Sequence, residues 1–346
     1  MTDERKQADY QRLFGAILGS EAVWIVDIGL KAGLFEAIDG AGDDGITAEA
    51  LAKELSFDAA YTAVWLRAAF AFELIDWAED ETYRLAENTA ALLLDESDAL
   101  FIGGRMQFFA ALYEDFKAYP SHLESGATWL RSYHDPWLLE ALKKSTTFDP
   151  VMITDHALAS SPGAIGRLEA GGTIVDIGAG GGFAVTHYAH RFPAATVIGL
   201  EFDGPSVELM RRTLEQAGLG DRIEMRHADA NKLEDVEAWD VVTLNITLHE
   251  TGAEPEWRNV LRRVHRALKP GGTIVVSELP YPDSIPDYRS SPVYQALAGV
   301  QIHEAIVGCG MITMNQLGEL IRDAGFATAR AVDQPMATRY VMVAEK

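Results

Sequence analysis

Cysteine is nearly missing: Cys309 is the only one in 346 residues. A lone thiol excludes an internal disulfide, so the fold must rest on its core, and a reducing cytoplasm is the expected compartment. Positive charge is scarce too. The chain has 29 Lys and Arg against 52 Asp and Glu, a net charge of -23. That balance argues against nucleic acid or an anionic membrane surface as partner, because polyanions are held by clustered cations. Long apolar runs are also lacking, none reaching the ~20 residues that a membrane span needs. The most apolar early stretch, Ala22 to Leu30, is interrupted by Asp27. Met1 to Tyr10 is polar and lacks a basic region leading into an apolar one, so no signal peptide is expected. What is present is an ordinary globular mixture, 48% hydrophobic and 23% charged, with length enough for two cores.

Apolar residues from Leu13 to Ile38 recur at helical spacing, with breaks around Gly29 and Gly33. Thr47 is a good N-cap for a helix to Leu55, and Asp58 caps a longer one to Leu74. Glu81 to Leu85 reads as a short wing strand, completing a winged-helix module. Such modules often bind DNA. Here the second helix carries one basic residue, Arg67, among Ala, Val, Trp, Leu and Phe, whereas groove readers need several polar side chains. A packing or dimerisation role is expected instead. Residues 101–165 are aromatic-rich and helical, either a connector burying its own rings or a cap over a substrate pocket.

After Gly171-Gly172 the period changes. Strands (Thr173 to Ile177, Thr196 to Leu200, Ile223 to His227, Asp240 to Leu244, Thr273 to Ser277) alternate with amphipathic helices, implying an α/β, Rossmann-like doubly wound sheet. Ligands of such sheets bind beyond the carboxyl ends of the strands. The glycines of Asp176-Ile177-Gly178-Ala179-Gly180-Gly181-Gly182 follow a strand and open a helix, allowing a tight turn against a ligand. Dinucleotide enzymes use a similar turn. Asp176 discriminates, because S-adenosylmethionine carries an ammonium and no pyrophosphate. Glu201 ends the second strand, where a carboxylate can take both ribose hydroxyls, with Phe202 beside the adenine. Asp229-Ala230 follow the third strand and can read the adenine edge. Asn245 ends the fourth.

With these motifs, residues 171–346 resemble class I S-adenosylmethionine-dependent methyltransferases. The whole layout resembles the dimeric plant-type O-methyltransferase superfamily, which implies a homodimer through the N-terminal domain. The expected domains are 1–100 (winged-helix dimerisation), 101–165 (helical connector and substrate cap) and 166–346 (catalytic). In that superfamily a His-Asp pair follows the fourth strand, and the His removes the acceptor's hydroxyl proton. His249 matches that histidine, and Glu250 stands for the aspartate. An imidazole with an ordinary pKa near 6.5 suits general-base work.

The superfamily's second acid, shortly before the position of Thr313, has no counterpart in Gly308 to Ile312, while His303-Glu304 lie on the preceding helix. Two histidines and a carboxylate can form a facial metal triad. His249, Glu250 and His303 resemble the metal site of 2-oxo-acid C-methyltransferases, implying zinc or iron. There a divalent metal would acidify carbon 3 of a 2-oxo acid and hold its enolate. The leading expectation is therefore metal-dependent C-methylation of a 2-oxo acid. The alternative is a metal-free O-methyltransferase on a phenolic or polyketide secondary metabolite with His249 as base. Tyr133, Arg105 and Glu304 are further candidates for moving a proton, and Arg105 for pairing with a substrate carboxylate.

Overall fold

A hydroxyl and a carboxylate start the two helices of the winged-helix pattern. The computed structural model describes residues 3–78, 80–98, 100–129, 136–333 and 335–346. It opens with α1 (Asp3–Ala32) and α2 (Leu34–Gly40), separated by Gly33 at φ 69°. Only a residue tolerant of left-handed backbone turns the chain there. Gly29 does not break α1. A Cβ at Gly29 would lie 2.3 Å from the Phe35 ring, so this glycine admits a neighbour rather than ending a helix. Next come β1 (Ile46–Thr47), α3 (Ala48–Leu55), α4 (Ala59–Ala71), β2 (Ile75–Trp77) and β3 (Thr82–Leu85). Thr47 Oγ1 accepts from Ala50 N at 3.2 Å and Asp58 Oδ1 from Tyr61 N at 3.0 Å, caps worth ~1 kcal/mol each. The strands pair antiparallel in the order β1-β3-β2, which is the wing. Helices α5 (Thr89–Leu93) and α6 (Gly103–Ala111) follow. Val26, Phe35, Ile38, Leu51, Leu66 and Ile75 form the core of this part.

The chain forms two compact units, Met1–Tyr113 with Glu140–Ser145, and Glu114–Leu139 with Thr146–Lys346. Segment 101–165 contributes to both. In the first unit α1 is, by length and composition alone, long and apolar enough to cross a membrane, a property its sequence did not lead us to expect. Its C-terminal half buries Val26 and Asp27, the latter paired with Lys31 at 2.8 Å, while Leu13, Phe14, Ile17 and Leu18 are exposed.

Helix α7 (Tyr113–His122) enters the second unit at Glu114, α8 (Pro136–Ser145) passes from the second unit to the first at Glu140, and α9 (Asp149–Met152) and α10 (Pro162–Glu169) belong to the second. Then β4 (Thr173–Ile177), α11 (Phe183–Arg191), β5 (Thr196–Glu201), α12 (Gly204–Gln216), β6 (Ile223–His227) and β7 (Trp239–Asn245) alternate. The chain ends with α13 (Glu254–Ala267), β8 (Leu268–Glu278), α14 (Pro292–Val307), α15 (Met314–Asp323), β9 (Thr328–Ala331) and β10 (Tyr340–Glu345). The sheet order is β6-β5-β4-β7-β8-β10-β9, parallel through β8 and antiparallel at β10 and β9. Helices cover both faces, so β4 and β7 are buried along almost their whole length, polar Asp176, Asp240 and Thr243 included. The order reverses at β4, which pairs with β5 on one side and β7 on the other. That switch point opens a crevice beyond the carboxyl ends of β4 and β7. This is a doubly wound, mostly parallel seven-stranded α/β sheet preceded in sequence by a helical N-terminal region.

Candidate active site

The glycine loop after β4 is locked by its neighbours on both sides. Gly178, Gly180 and Gly182 have φ of 75°, 49° and 86°, which side-chain-bearing residues adopt rarely. Thr247 fills the space where a Gly178 Cβ would stand, 2.3 Å away. Glu201, at the end of β5, accepts from Gly180 N at 2.8 Å through Oε2, and from Phe202 N and Asp203 N through Oε1. Burial pushes its carboxyl up, although these three N–H groups favour the charged form. Phe202 stands exposed beside it. Asp229 is half-buried after β6, accepting from Asn231 N, with Ala230 buried next to it. The expected donor residues thus line adjacent strand ends of one sheet.

Asp176 is placed differently from the expected ammonium partner. It is buried in β4, and its Oδ1 accepts from Thr243 Oγ1 on β7 at 2.6 Å. Burial raises its pKa to about 7, so it is a weak anion at neutral pH. Asn245 ends β7 and donates through Nδ2 to Asp149 Oδ2 at 2.9 Å.

Beyond Asn245 the backbone takes an unusual path. Ile246 has φ 51°, left-handed for a β-branched residue, a strain of about 1–3 kcal/mol that the surroundings must hold. Its N–H donates to Ser277 O at 2.7 Å. The chain then makes a tight turn, Leu248–Thr251, and buries His249 to 1% exposure. Glu278 at the end of β8 stands 2.7 Å from His249 Nδ1, and its Oε1 accepts from the His249 backbone N at 3.3 Å. Glu304 Oε2 on α14 lies 3.6 Å from Nε2, an ion-pair separation too long for a hydrogen bond. Burial alone would lower the His249 pKa, but Glu278 and Glu304 together hold it well above the ordinary histidine value. Glu304 is buried as well, and the facing His249 keeps its carboxyl below the usual range.

The expected metal triad is not assembled. Glu250 is exposed whereas His249 is buried, because the tight turn sends successive side chains apart. His303 is buried on α14, its Nδ1 2.7 Å from Asp115 Oδ2 of α7. Among the described residues no group of three His, Cys, Asp or Glu could hold a metal ion. The donor set therefore does not fit zinc or iron. Arg105 lies half-buried in α6 of the first unit, and Tyr133 lies outside the described residues.

Sequence reasoning missed Glu278, Asp115 and Asp149. Two acids flank His249, Glu278 from β8 and Glu304 from α14, the latter one turn before the Gly308 to Ile312 stretch that lacks one. An acid at the carboxyl end of the strand beside the one that leads to His249 is the signal available for Glu278. Asp115 and Asp149 had no such signal, since their partners are 188 and 96 residues away.

Residues 174–272 match the family model described as a methyltransferase domain. Demethylmenaquinone methyltransferase of Clavibacter sepedonicus is 39% identical over 114 residues, 33% of this chain and 43% of that protein. Arsenite methyltransferase of Halobacterium salinarum is 25% identical over 191 residues, 52% of this chain and 44% of that protein. The chain spans less than half the length of these relatives. Human N-acetylserotonin methyltransferase, solved with S-adenosylmethionine, superposes with a TM-score of 0.77 at 18% identity, covering 100% of this chain and 99% of that one. Mitomycin 7-O-methyltransferase superposes with a TM-score of 0.75 at 18% identity, covering 100% of both chains.

Proposed function

We propose that the protein is an S-adenosylmethionine-dependent methyltransferase that methylates a hydroxyl oxygen of a small phenolic or polyketide secondary metabolite. The observation that carries this reading is His249, buried at the carboxyl end of β7 and flanked on both ring nitrogens by Glu278 and Glu304. The methyltransferase-domain match over 174–272 supports the donor. The O-methyltransferase named among the structural neighbours supports an oxygen acceptor over carbon 3 of a 2-oxo acid.

When bound, S-adenosylmethionine supplies an electrophilic methyl group. The chain does the rest. The glycine loop, Glu201 and Asp229 orient the donor at the switch point. His249 takes the acceptor's hydroxyl proton at Nε2 as the oxygen attacks, and Glu278 holds the ring and stabilises the imidazolium. A phenol ordinarily titrates near 10, so a histidine raised by two carboxylates is better matched to it than one near 6.5. Glu304 closes on the protonated ring and offers the proton a way out.

The exposed apolar faces of α1 (Leu13, Ile17) and α4 (Tyr61, Val64, Phe70) support a homodimer through the N-terminal part, and the composition supports a cytoplasmic location. The deciding experiment incubates the purified chain with labelled S-adenosylmethionine and panels of phenols and 2-oxo acids. Methyl ethers formed by wild type and lost in His249→Gln are expected. Carbon-methylated oxo acids, or no transfer to any hydroxyl, would overturn the reading.

A further inference from the structure

We propose that Asp149 and Asn245 form the subsite for the α-ammonium of the methyl donor, a deepening that rests on the donor reading above. Asp149 lies on α9, outside the methyltransferase-domain match, and is fully buried. Its Oδ2 is fully engaged, accepting from Asn245 Nδ2 and from Arg339 Nε, each at 2.9 Å. Its Oδ1 has no partner, and neither has Asn245 Oδ1. Two acceptor atoms are thus left bare, on side chains already tied to each other, at the carboxyl end of β7 beside the glycine loop.

A buried acceptor without a donor costs about 1–3 kcal/mol. Natural structures keep such atoms mainly where a ligand, an ion or a water satisfies them. Two bare acceptors call for a group with several N–H donors and positive charge, which describes a primary ammonium. Arg339 orients the Asp149 carboxylate through the other oxygen, so Oδ1 is left facing away from the guanidinium and open to a ligand. The chemistry also fits the neighbourhood. Asp176, the acid nearest in sequence to the glycine loop, spends its Oδ1 on Thr243 and is only partly ionised at neutral pH. Asp149 is bonded directly to the residue that ends β7, and its Oδ1 is an acceptor there that no protein donor occupies.

The test is calorimetric titration of the full chain with S-adenosylhomocysteine and with its analogue in which hydrogen replaces the α-amino group. Wild type should prefer the amino compound by about tenfold or more, as a charge-assisted hydrogen bond implies. Asp149→Asn should lose most of that preference while binding the deaminated analogue as wild type does; Asn245→Ala should lose part of it. A wild type that binds both compounds equally overturns the proposal without any variant. An Asp149→Asn protein that loses both affinities in the same proportion overturns it too, because that is what a merely structural role produces. Failure of wild type to bind S-adenosylhomocysteine at all overturns the donor reading, and this subsite with it.

Discussion

Glu278 Oε2 stands 2.7 Å from His249 Nδ1, while Glu304 Oε2 stands 3.6 Å from Nε2. One short and one long approach give the ring two different tasks. The short one fixes its orientation and tautomer, and the long one leaves Nε2 facing a carboxylate it does not yet bond. His249→Gln keeps a polar side chain there and removes the base. Turnover should fall about 10²–10⁴-fold, with S-adenosylhomocysteine affinity unchanged within twofold. A variant that retains a tenth of wild-type kcat would remove His249 from the mechanism.

The same pair of carboxylates sets the pH dependence. They hold His249 protonated at pH values where an ordinary histidine is already neutral. The fraction able to accept a proton therefore grows as pH rises through a pKa well above 6.5, and kcat should climb over that range. Glu304→Gln removes one of the two raising charges, so the rising limb should move to lower pH. Single-turnover rates from pH 6 to 10 in both proteins decide this; a limb that stays in place means that Glu304 does not act on His249. The limb reports the His249–carboxylate group as a unit rather than one microscopic site.

Gly178 and Thr247 couple the donor loop to the turn that carries His249. Gly178→Ala meets two obstacles, the φ of 75° and the Thr247 side chain 2.3 Å from the new Cβ. Backbone strain of this kind costs about 1–3 kcal/mol. Donor affinity should fall at least tenfold, and adding Thr247→Ala should restore part of it by removing the clash but not the strain. Titration with S-adenosylhomocysteine measures both steps. An unaltered affinity in the single variant would mean that the loop adapts freely.

Leu13 and Ile17 lie one turn apart on α1, both more than half exposed. Burying such a stripe in a second copy would contribute about 1.5–3 kcal/mol per fully covered side chain. The double variant Leu13→Glu, Ile17→Glu should shift a dimer to a monomer in size-exclusion light scattering. Wild type eluting as a monomer at tens of micromolar would end the dimer proposal.

How much of this was legible in the sequence follows from how local each feature is. The caps at Thr47 and Asp58 depend on neighbours within three residues, and β4 and the glycine turn announce themselves by local residue type, so the structure places them where their chemistry required. His249 was legible because it follows a strand end. Its partners were not, because Glu278 and Glu304 come to it from 29 and 55 positions away, and only the sheet order brings β8 beside β7. Glu250 was misplaced for a related reason. Adjacency in sequence is not adjacency in space, because in a tight turn successive side chains diverge. Gly29 does not break α1 either, since its missing Cβ makes room for the Phe35 ring.

Asp176 offers a test of the donor site's electrostatics that needs no ligand. Burial raises its pKa to about 7 in the folded chain, against about 3.9 when unfolded. Between those values the folded state binds the additional proton, so stability falls as pH rises. The contribution is complete below pH ~4 and gone above ~7. About three units at ~1.4 kcal/mol each place the loss on the order of 4 kcal/mol. Asp176→Asn keeps an oxygen to accept from the Thr243 hydroxyl and does not titrate. Its stability relative to wild type should therefore rise steadily between pH 4 and 7 and then level off. Other titrating groups are common to both proteins and largely cancel in the difference. Urea unfolding of the two at pH 5 and pH 8 is the measurement. A difference between them that is the same at both pH values would mean that Asp176 is ionised throughout, and that the anion facing the glycine loop is Asp176 after all.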